Sequence, residues 1–287
     1  MKIRSQYPTA GFFLSRGWRG LGGGENPRED GRVQALRPPP GTCHLEWGMA
    51  FQTYTANLRR SLPLSEFTKH LEFELAQVPG FGFVAGQWLS LKANRPDGEE
   101  ITRAYSIASA PNGSNRFALC LNRVPDGFMS NFLCDMKEGA EIACQGPFGN
   151  FILRPPMRDT LLIATGTGIA PFRAMLEWLF QDQARHENHQ VWLVFGSRYE
   201  RDIYYHQEFL ELAARHANFH YLPTLSRGDE NWQGLRGYVQ QHVPGIVGSR
   251  ADMHAYICGL KKMITANRDL LKSLGWDRKS IIYEAYD

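Results

Sequence analysis

The sequence predicts two domains, an antiparallel β-barrel followed by an α/β domain with a doubly wound parallel sheet. Three observations lead to this expectation. Between Phe51 and about Leu153, short apolar or alternating runs follow one another closely, separated by turns. After Pro155-Pro156 the rhythm changes to alternating strands and helices. The chain has 287 residues, 43% of them hydrophobic, enough for two cores of ordinary size.

The first 48 residues stand apart. The run GFFLSRGWRGLGGGENPREDGRVQALRPPPG is rich in Gly, Arg and Pro and lacks helical or strand periodicity, so residues 1–48 are expected to be disordered. Met49 opens the first patterned stretch, which suits an upstream extension or a misassigned start. A targeting peptide is the functional alternative, opposed by Glu25, Glu29 and Asp30.

The barrel is expected over residues 49–154. Its strands are read at TKHLEFELA, GQWLSLKA, TRAYSIAS, RFALCLNRV and AEIACQG. Val78-Pro79-Gly80, Pro96-Asp97-Gly98 and Pro111-Asn112-Gly113 supply turns. One short helix fits SNFLCDM, with Ser130 as N-cap. Residues 155–287 form the second domain. There the strand TLLIATG precedes the helix PFRAMLEWLFQDQA, and QVWLVFGS precedes YHQEFLELAARH. NFHYLPTLS and HAYICG are further strands, MITANRDLLKSLG a helix, and SIIYEAY a last strand.

The formal net charge is +3, which argues against a nucleic-acid binder. Cys43, Cys120, Cys134, Cys144 and Cys258 are widely spaced, without a CxxC pair, so no metal or iron–sulfur site is supported. Reduced thiols suit a cytoplasmic protein. No apolar run approaches a membrane span. A monomer is expected. His186 and His189 fall in a polar loop without metal spacing and are expected to be solvated.

Thr165-Gly166-Thr167-Gly168-Ile169-Ala170-Pro171 joins a buried strand to a helix. Its glycines would let the backbone approach a pyrophosphate, and the helix start offers free N–H groups. A tight structural turn is the alternative, since the third glycine of the dinucleotide fingerprint is missing. In Arg103-Ala104-Tyr105-Ser106, arginine can clamp a phosphate and Tyr105, on the same strand face, can stack on a flat ring. Ser106 points the other way. An ordinary exposed strand is the alternative. Thr224-Leu225-Ser226-Arg227 places a hydroxyl and a guanidinium at a strand's C-terminal end, with Arg236 and Tyr238 following. Two arginines and two hydroxyls suit a 2′-phosphate, and a solvated loop is the alternative. Cys258 ends a strand, where a buried small hydrophobe is the plain reading.

RAYSIAS, GFMSNFLCDM, CQGPFGN, IATGTGIAPFRAM, VFGSR, YICGLKKM and YEAY occur in one order. From Thr53 to Asp287 the chain resembles the ferredoxin–NADP reductase family, its plant-type branch most closely. The resemblance implies FAD in the barrel and NADP in the second domain. It assigns Arg103 to the FAD pyrophosphate, Tyr105 to the isoalloxazine face and Ser106 to the flavin N5. Cys120 and Leu121 would run along the cofactor. Gly127, Met129 and Ser130 would receive the pyrophosphate, and Thr167 and Gly168 the NADP pyrophosphate. Ser226, Arg227, Arg236 and Tyr238 would select the 2′-phosphate. Cys258 would line the nicotinamide pocket, Glu284 would orient the nicotinamide or relay protons, and Tyr286 would cover the flavin as a gate.

Two departures stand out. Only Arg123-Val124-Pro125-Asp126 fills the place of a longer adenine-stacking loop, which leaves FMN compatible. Asp287 follows the aromatic residue at which plant-type members end.

The implied activity carries electrons from NADPH through FAD to a one-electron carrier, ferredoxin or flavodoxin. The partner would be an acidic redox protein met by Arg59, Arg60, Lys69, Lys92, Lys261 and Lys262. The alternatives are a flavin-binding electron-transfer subunit of an oxygenase or larger redox complex, and a nucleotide-binding regulatory module without turnover.

Overall fold

The computed structural model describes residues 52–286. The expectations for residues 1–48, Cys43 and Asp287 lie outside the described residues.

Six strands form the first sheet: β1 (Thr53–Pro63), β2 (Thr68–Leu75), β3 (Trp88–Asn94), β4 (Glu100–Ser106), β5 (Arg116–Asn122) and β6 (Glu141–Phe148). Their order is β4-β3-β6-β1-β2-β5, with antiparallel pairing. A bridge between Ile107 and Leu119 brings the two edge strands together, so the sheet closes into a barrel. Phe73, Phe117, Leu89 and Leu91 fill its interior. Strand β1 escaped the sequence reading. Its run TYTANLRRSLP lacks alternation, because the register slips between Leu58 and Arg60 and both flanks are paired.

The short helix α1 (Phe128–Asp135) begins two residues earlier than expected, and this corrects the role of Ser130. Gly127 is the N-cap. Ser130 lies inside the first turn, where its Oγ accepts from Val124 N at 3.1 Å and donates to Gly127 O at 3.0 Å. The serine therefore ties the preceding loop to the helix.

The second sheet contains β7 (Thr160–Thr165), β8 (Val191–Ser197), β9 (Phe219–Leu225), β10 (Leu235–Arg236), β11 (His254–Leu260) and β12 (Ile281–Tyr286). All neighbours run parallel, in the order β10-β9-β8-β7-β11-β12. Helices α2 (Ile169–Phe180), α3 (His206–Arg215), α4 (Val243–Val247) and α5 (Lys261–Ser273) accompany it. Neither β10 nor α4 was legible, both being too short to show a period.

Strand β7 shows why the fold is doubly wound. Leu162 and Ala164 pack into one core with Phe172 and Met175 of α2, while Leu161 and Ile163 pack into another with Ile264 and Leu271 of α5. Both faces of the strand are thus apolar. The strand order reverses beside β7, with β8 on one side and β11 on the other. A crevice therefore opens at the C-terminal ends of β7 and β11.

The barrel and the second sheet share a continuous interior. Ala85, Ala108 and Cys120 of the barrel join the core built on Phe172. Polar contacts cross as well: Thr68 Oγ1 donates to Tyr204 Oη at 2.8 Å, and Arg173 donates to Ala108 O at 2.6 Å. His70 is buried against Tyr205 at 2.9 Å, and burial first, then Arg173 and Arg60, lowers its pKa to about 4. It is neutral at physiological pH, so its 3.6 Å approach to Glu72 is not an ion pair there.

Expected to be solvated, His186 is instead buried, its ring 4.3 Å from that of Phe180 and its Nδ1 within 3.1 Å of Asn218. Asn218 reaches across the loop to hold it, a contact 32 residues away that local polarity does not reveal.

Candidate functional site

A cavity of about 610 Å³ lies where β4 and β5 of the barrel meet the crevice of the parallel sheet. Strand β4 forms its wall from Ile101 to Ser106. Arg103 stands exposed on that wall, its guanidinium bonded only to Thr102 O at 2.8 Å. Tyr105 is half-buried, and burial pushes its phenol up to about 12. Cys120 and Leu121 of β5 lie buried behind, with the Cys120 thiol raised to about 12 by burial. Both are therefore uncharged walls.

The start of α1 faces the same space through Gly127, Met129 and Ser130. Asn131 N is the first amide to close on the helix, at Gly127 O, so the amides before it point outward at the helix's positive end.

Ser106 is buried and donates to Glu284 at 2.9 Å. This bond joins β4 to the last strand of the other sheet. Burial raises the Glu284 carboxyl above its usual range, while the Ser106 bond pulls it down. Tyr286, two residues on, lines the cavity with its ring, and its hydroxyl is buried without a hydrogen-bond partner. Cys258 is fully buried beside Glu284, which pairs with it across the sheet, and burial holds its thiol far above the ordinary range. It is no nucleophile.

Thr167 reaches the cavity from the short turn Gly166–Gly168 that precedes α2. At Gly168 an added Cβ would stand 2.4 Å from Cys258 O, so only glycine lets this turn lie against β11. At Gly259, where φ is +143°, a Cβ would meet Thr165 Oγ1 at 2.5 Å. The Thr165 hydroxyl is also buried without a partner. The two glycines let the turn after β7 and the end of β11 lie close together at the switch point.

The four residues expected to hold a 2′-phosphate gather at one sheet edge, where Arg236 pairs with Leu225 and Arg227 lies near Tyr238. Ser226 donates weakly to Ser197 O at 3.4 Å. Arg227 faces a second cavity, of about 580 Å³, shared with Tyr199. Tyr238 is 64% exposed. Arg236 donates to the carbonyls of Gly228, Asp229 and Trp232 at 2.7–3.0 Å, binding its own loop. The six basic residues expected to greet an acidic partner are also partly engaged. Arg59, Arg60 and Lys92 pair with Glu74, Glu72 and Glu100, and Lys69 donates to Cys134 O. Lys261 and Lys262 are exposed at the start of α5.

Trp88, Arg95, Phe128 and Asn122 also line the first cavity and were missed. Arg95 lies over the Phe128 ring at 5.7 Å, a contact between the turn after β3 and the start of α1 that no spacing within either reveals. Among the described residues, no group of His, Cys, Asp or Glu could hold a metal ion, and no helix is long and apolar enough to cross a membrane.

Residues 55–152 match the model of an oxidoreductase FAD-binding domain, and residues 162–269 that of an oxidoreductase NAD-binding domain. The chain is 41% identical to ferredoxin–NADP reductase B of Sorangium cellulosum, over 82% of this chain and 98% of the relative. It is 30% identical to the toluate 1,2-dioxygenase electron transfer component of Pseudomonas putida, over 82% of this chain and 67% of the relative. Among solved structures, an Amycolatopsis cytochrome P450 reductase superposes with a TM-score of 0.73 at 25% identity, covering 82% of this chain and 70% of that one. A ferredoxin NADP⁺ reductase from Neisseria gonorrhoeae shares the fold, with a TM-score of 0.70 at 20% identity over 81% of this chain and 98% of that one. Matched along nearly the whole of its Sorangium relative and carrying both oxidoreductase domains, the chain belongs to the ferredoxin–NADP reductase family.

Proposed function

We propose that this protein takes hydride from NADPH and delivers electrons singly to ferredoxin or flavodoxin, in the cytoplasm, with FAD held over residues 49–154 and NADP over residues 155–287. The observation that carries this reading is the 2.9 Å bond from Ser106 to Glu284. It sets a hydroxyl and a high-pKa carboxyl, one from each sheet, beside the glycine cradle of Gly168 and Gly259.

The residues present fit FAD. The wall from Ile101 to Ser106 covers five residue steps, about 17 Å at ~3.4 Å each, which suits a dinucleotide more than FMN. When bound, FAD supplies the conversion of a two-electron hydride into single electrons. Arg103 and the outward amides of α1 hold the negative pyrophosphate. Tyr105 offers its ring as a stacking face, and Cys120 and Leu121 exclude water behind it. Thr167 and Gly168 seat the second dinucleotide. Cys258 and Glu284 shape the site for its reactive ring, and Ser106 with Glu284 holds a proton there.

Heating the purified protein is expected to release FAD, and the isolated chain is expected to reduce ferricyanide with NADPH. Release of FMN, or no turnover, would count against the proposal. A panel of ferredoxins, flavodoxins and iron–sulfur oxygenase components decides the acceptor. The similarity to the toluate dioxygenase component favours an oxygenase partner as the second reading.

Tyr286 lines the cavity from β12, at the sheet edge. We read it as a gate that the nicotinamide must displace. Aromatic stacking is worth roughly 0.5–1.5 kcal/mol, about two- to tenfold in binding. Tyr286→Ser is expected to tighten NADP⁺ by that factor, slow turnover and improve NADH as donor. Titrating NADP⁺ into the oxidised protein checks this, and unchanged affinity with unchanged turnover would remove the gate.

A further inference from the structure

Tyr205 enters α3 with φ at +57°, in the left-handed region that a tyrosine rarely adopts. The turn aims its ring at the barrel. There His70 of β2 and Cys120 of β5 stand directly opposite each other in register, so their side chains share one face. The Tyr205 hydroxyl bonds to both, to His70 Nδ1 at 2.9 Å and to the Cys120 thiol. Cys120 lines the first cavity. On the far side, His70 Nε2 lies 3.6 Å from Glu72, two residues along the same strand face. The Glu72 side chain is 39% exposed. A line of polar groups thus runs from the cavity wall to the surface.

The charges around His70 orient this line. Arg173 lies over the Tyr205 ring at 4.8 Å, on the Nδ1 side, and Glu72 lies on the Nε2 side, where Arg60 at 3.8 Å from the carboxylate partly offsets it. The field therefore draws the imidazole proton to Nε2, toward the carboxylate. Nδ1 is then an acceptor, the Tyr205 phenol donates to it, and the phenol oxygen is left to accept from the Cys120 S–H. Every hydrogen in the line points outward.

We infer that Cys120, Tyr205, His70 and Glu72 form a proton exit from the first cavity to solvent. The inference rests on the activity proposed above. Oxidation of one NADPH sends two electrons to two one-electron carriers and leaves one proton, which has to reach water in every cycle. Cys120 and Leu121 are buried and close this wall to water, so a proton leaving here needs side chains that carry it. In one outward step, a proton from the cavity binds the Cys120 sulfur as the thiol proton passes to the Tyr205 oxygen. The phenol proton passes to His70 Nδ1, and the Nε2 proton to the Glu72 carboxylate. Each S–H, O–H or N–H bond broken is matched by one formed, and Glu72 hands the proton to solvent. Tautomer exchange at His70 and rotation of the thiol and phenol hydrogens reset the line. The 3.6 Å approach to Glu72 is longer than a hydrogen bond, and rotation of the exposed carboxylate closes it. With its pKa lowered to about 4 by burial, Arg173 and Arg60, the His70 ring passes a proton on at neutral pH without keeping a second one.

To test this, the flavin-loaded protein is reduced with NADPH and mixed with ferricyanide in weak buffer containing a pH dye. Flavin absorbance reports the electrons and the dye reports the proton. Tyr205→Phe loses the O–H but keeps a ring for Arg173, and is expected to slow proton release about a hundredfold, the lower end of what a positioned proton carrier contributes. His70→Gln keeps a donor and an acceptor but cannot pass a proton through, and is expected to slow it as much. Both variants are expected to bind NADP⁺ within about twofold of the parent, since neither alters the nucleotide cradle. Nitrogen NMR of the His70 ring in the unaltered protein, a readout independent of turnover, is expected to show the proton on Nε2. Proton release at the parent rate in either variant would overturn the exit. So would a ring proton on Nδ1, or a slowing that comes with lost NADP⁺ affinity in both variants. If NADPH does not reduce the unaltered protein, the proposed activity itself fails and takes the exit with it. Normal reduction with proton release indifferent to Tyr205 and His70 sinks the exit alone.

Discussion

Removing the hydroxyl in Ser106→Ala, or the ionisable oxygen in Glu284→Gln, is expected to slow flavin reduction by NADPH about a hundredfold or more, the scale on which positioned acid–base groups act. The two side chains are bonded at 2.9 Å across the junction of the sheets, so each variant removes both the partner and its orientation. Their pH signatures differ from that of a mere packing defect. Burial raises the Glu284 pKa, so its carboxyl keeps a proton to higher pH than an ordinary glutamate. The folded state then binds more protons than the unfolded chain between the ordinary value and the raised one. Stability is greatest below that window and falls as pH rises through it. Glu284→Gln removes the penalty. It is expected to match or exceed the parent in thermal midpoint at neutral pH, while losing the rate and flattening the pH profile above the ordinary carboxylate range. Stopped-flow absorbance against pH, beside thermal melts, checks both. A rate loss that tracks a stability loss, with the pH profile intact, would make the pair structural.

Gly168→Ala is expected to abolish most dinucleotide binding and to destabilise the fold. The new Cβ would meet Cys258 O at 2.4 Å, its carbonyl carbon at 2.6 Å and Gly259 N at 2.8 Å. All three are backbone atoms of β11, so no rotamer change gives way. Overpacking of this kind costs about 1–3 kcal/mol, and here it forces apart the two loops of the cradle. Nucleotide affinity is expected to fall by about a hundredfold, matching the upper end of that strain. Gly82→Ala is the control, since its Cβ meets nothing within 4 Å and the variant should stay within about 0.5 kcal/mol. A nucleotide Kd within twofold of the parent in Gly168→Ala would show that the turn does not set the approach.

The strands and helices with a clear period were legible. TLLIAT is buried on both faces because helices cover both, and RFALCLN is buried because β5 lies between the barrel interior and the second domain. Strand β1 was not, because its bulge breaks alternation and its pairing comes from two distant strands. Ser130 looked like a cap because serine often caps, but the backbone turns into the helix at Gly127, where a side chain would collide with the Ser130 hydroxyl at 2.8 Å.

The sequence pointed to the two-domain order and to the motifs of both dinucleotide sites, and it named Ser106, Glu284 and Thr167, which line one cavity. The domain order and the glycine turn follow from period and turn chemistry, whereas the resemblance to the ferredoxin–NADP reductase family singled out Glu284. The tertiary structure alone decided how the two arginines at this sheet edge are partnered. Arg227 and Arg236 look alike in the chain, yet the loop folds its carbonyls onto Arg236 and leaves Arg227 beside Tyr199 and Arg201. Three of the five Arg236 N–H donors go to carbonyls of its own loop, an arrangement that depends on loop closure over several residues that no spacing encodes.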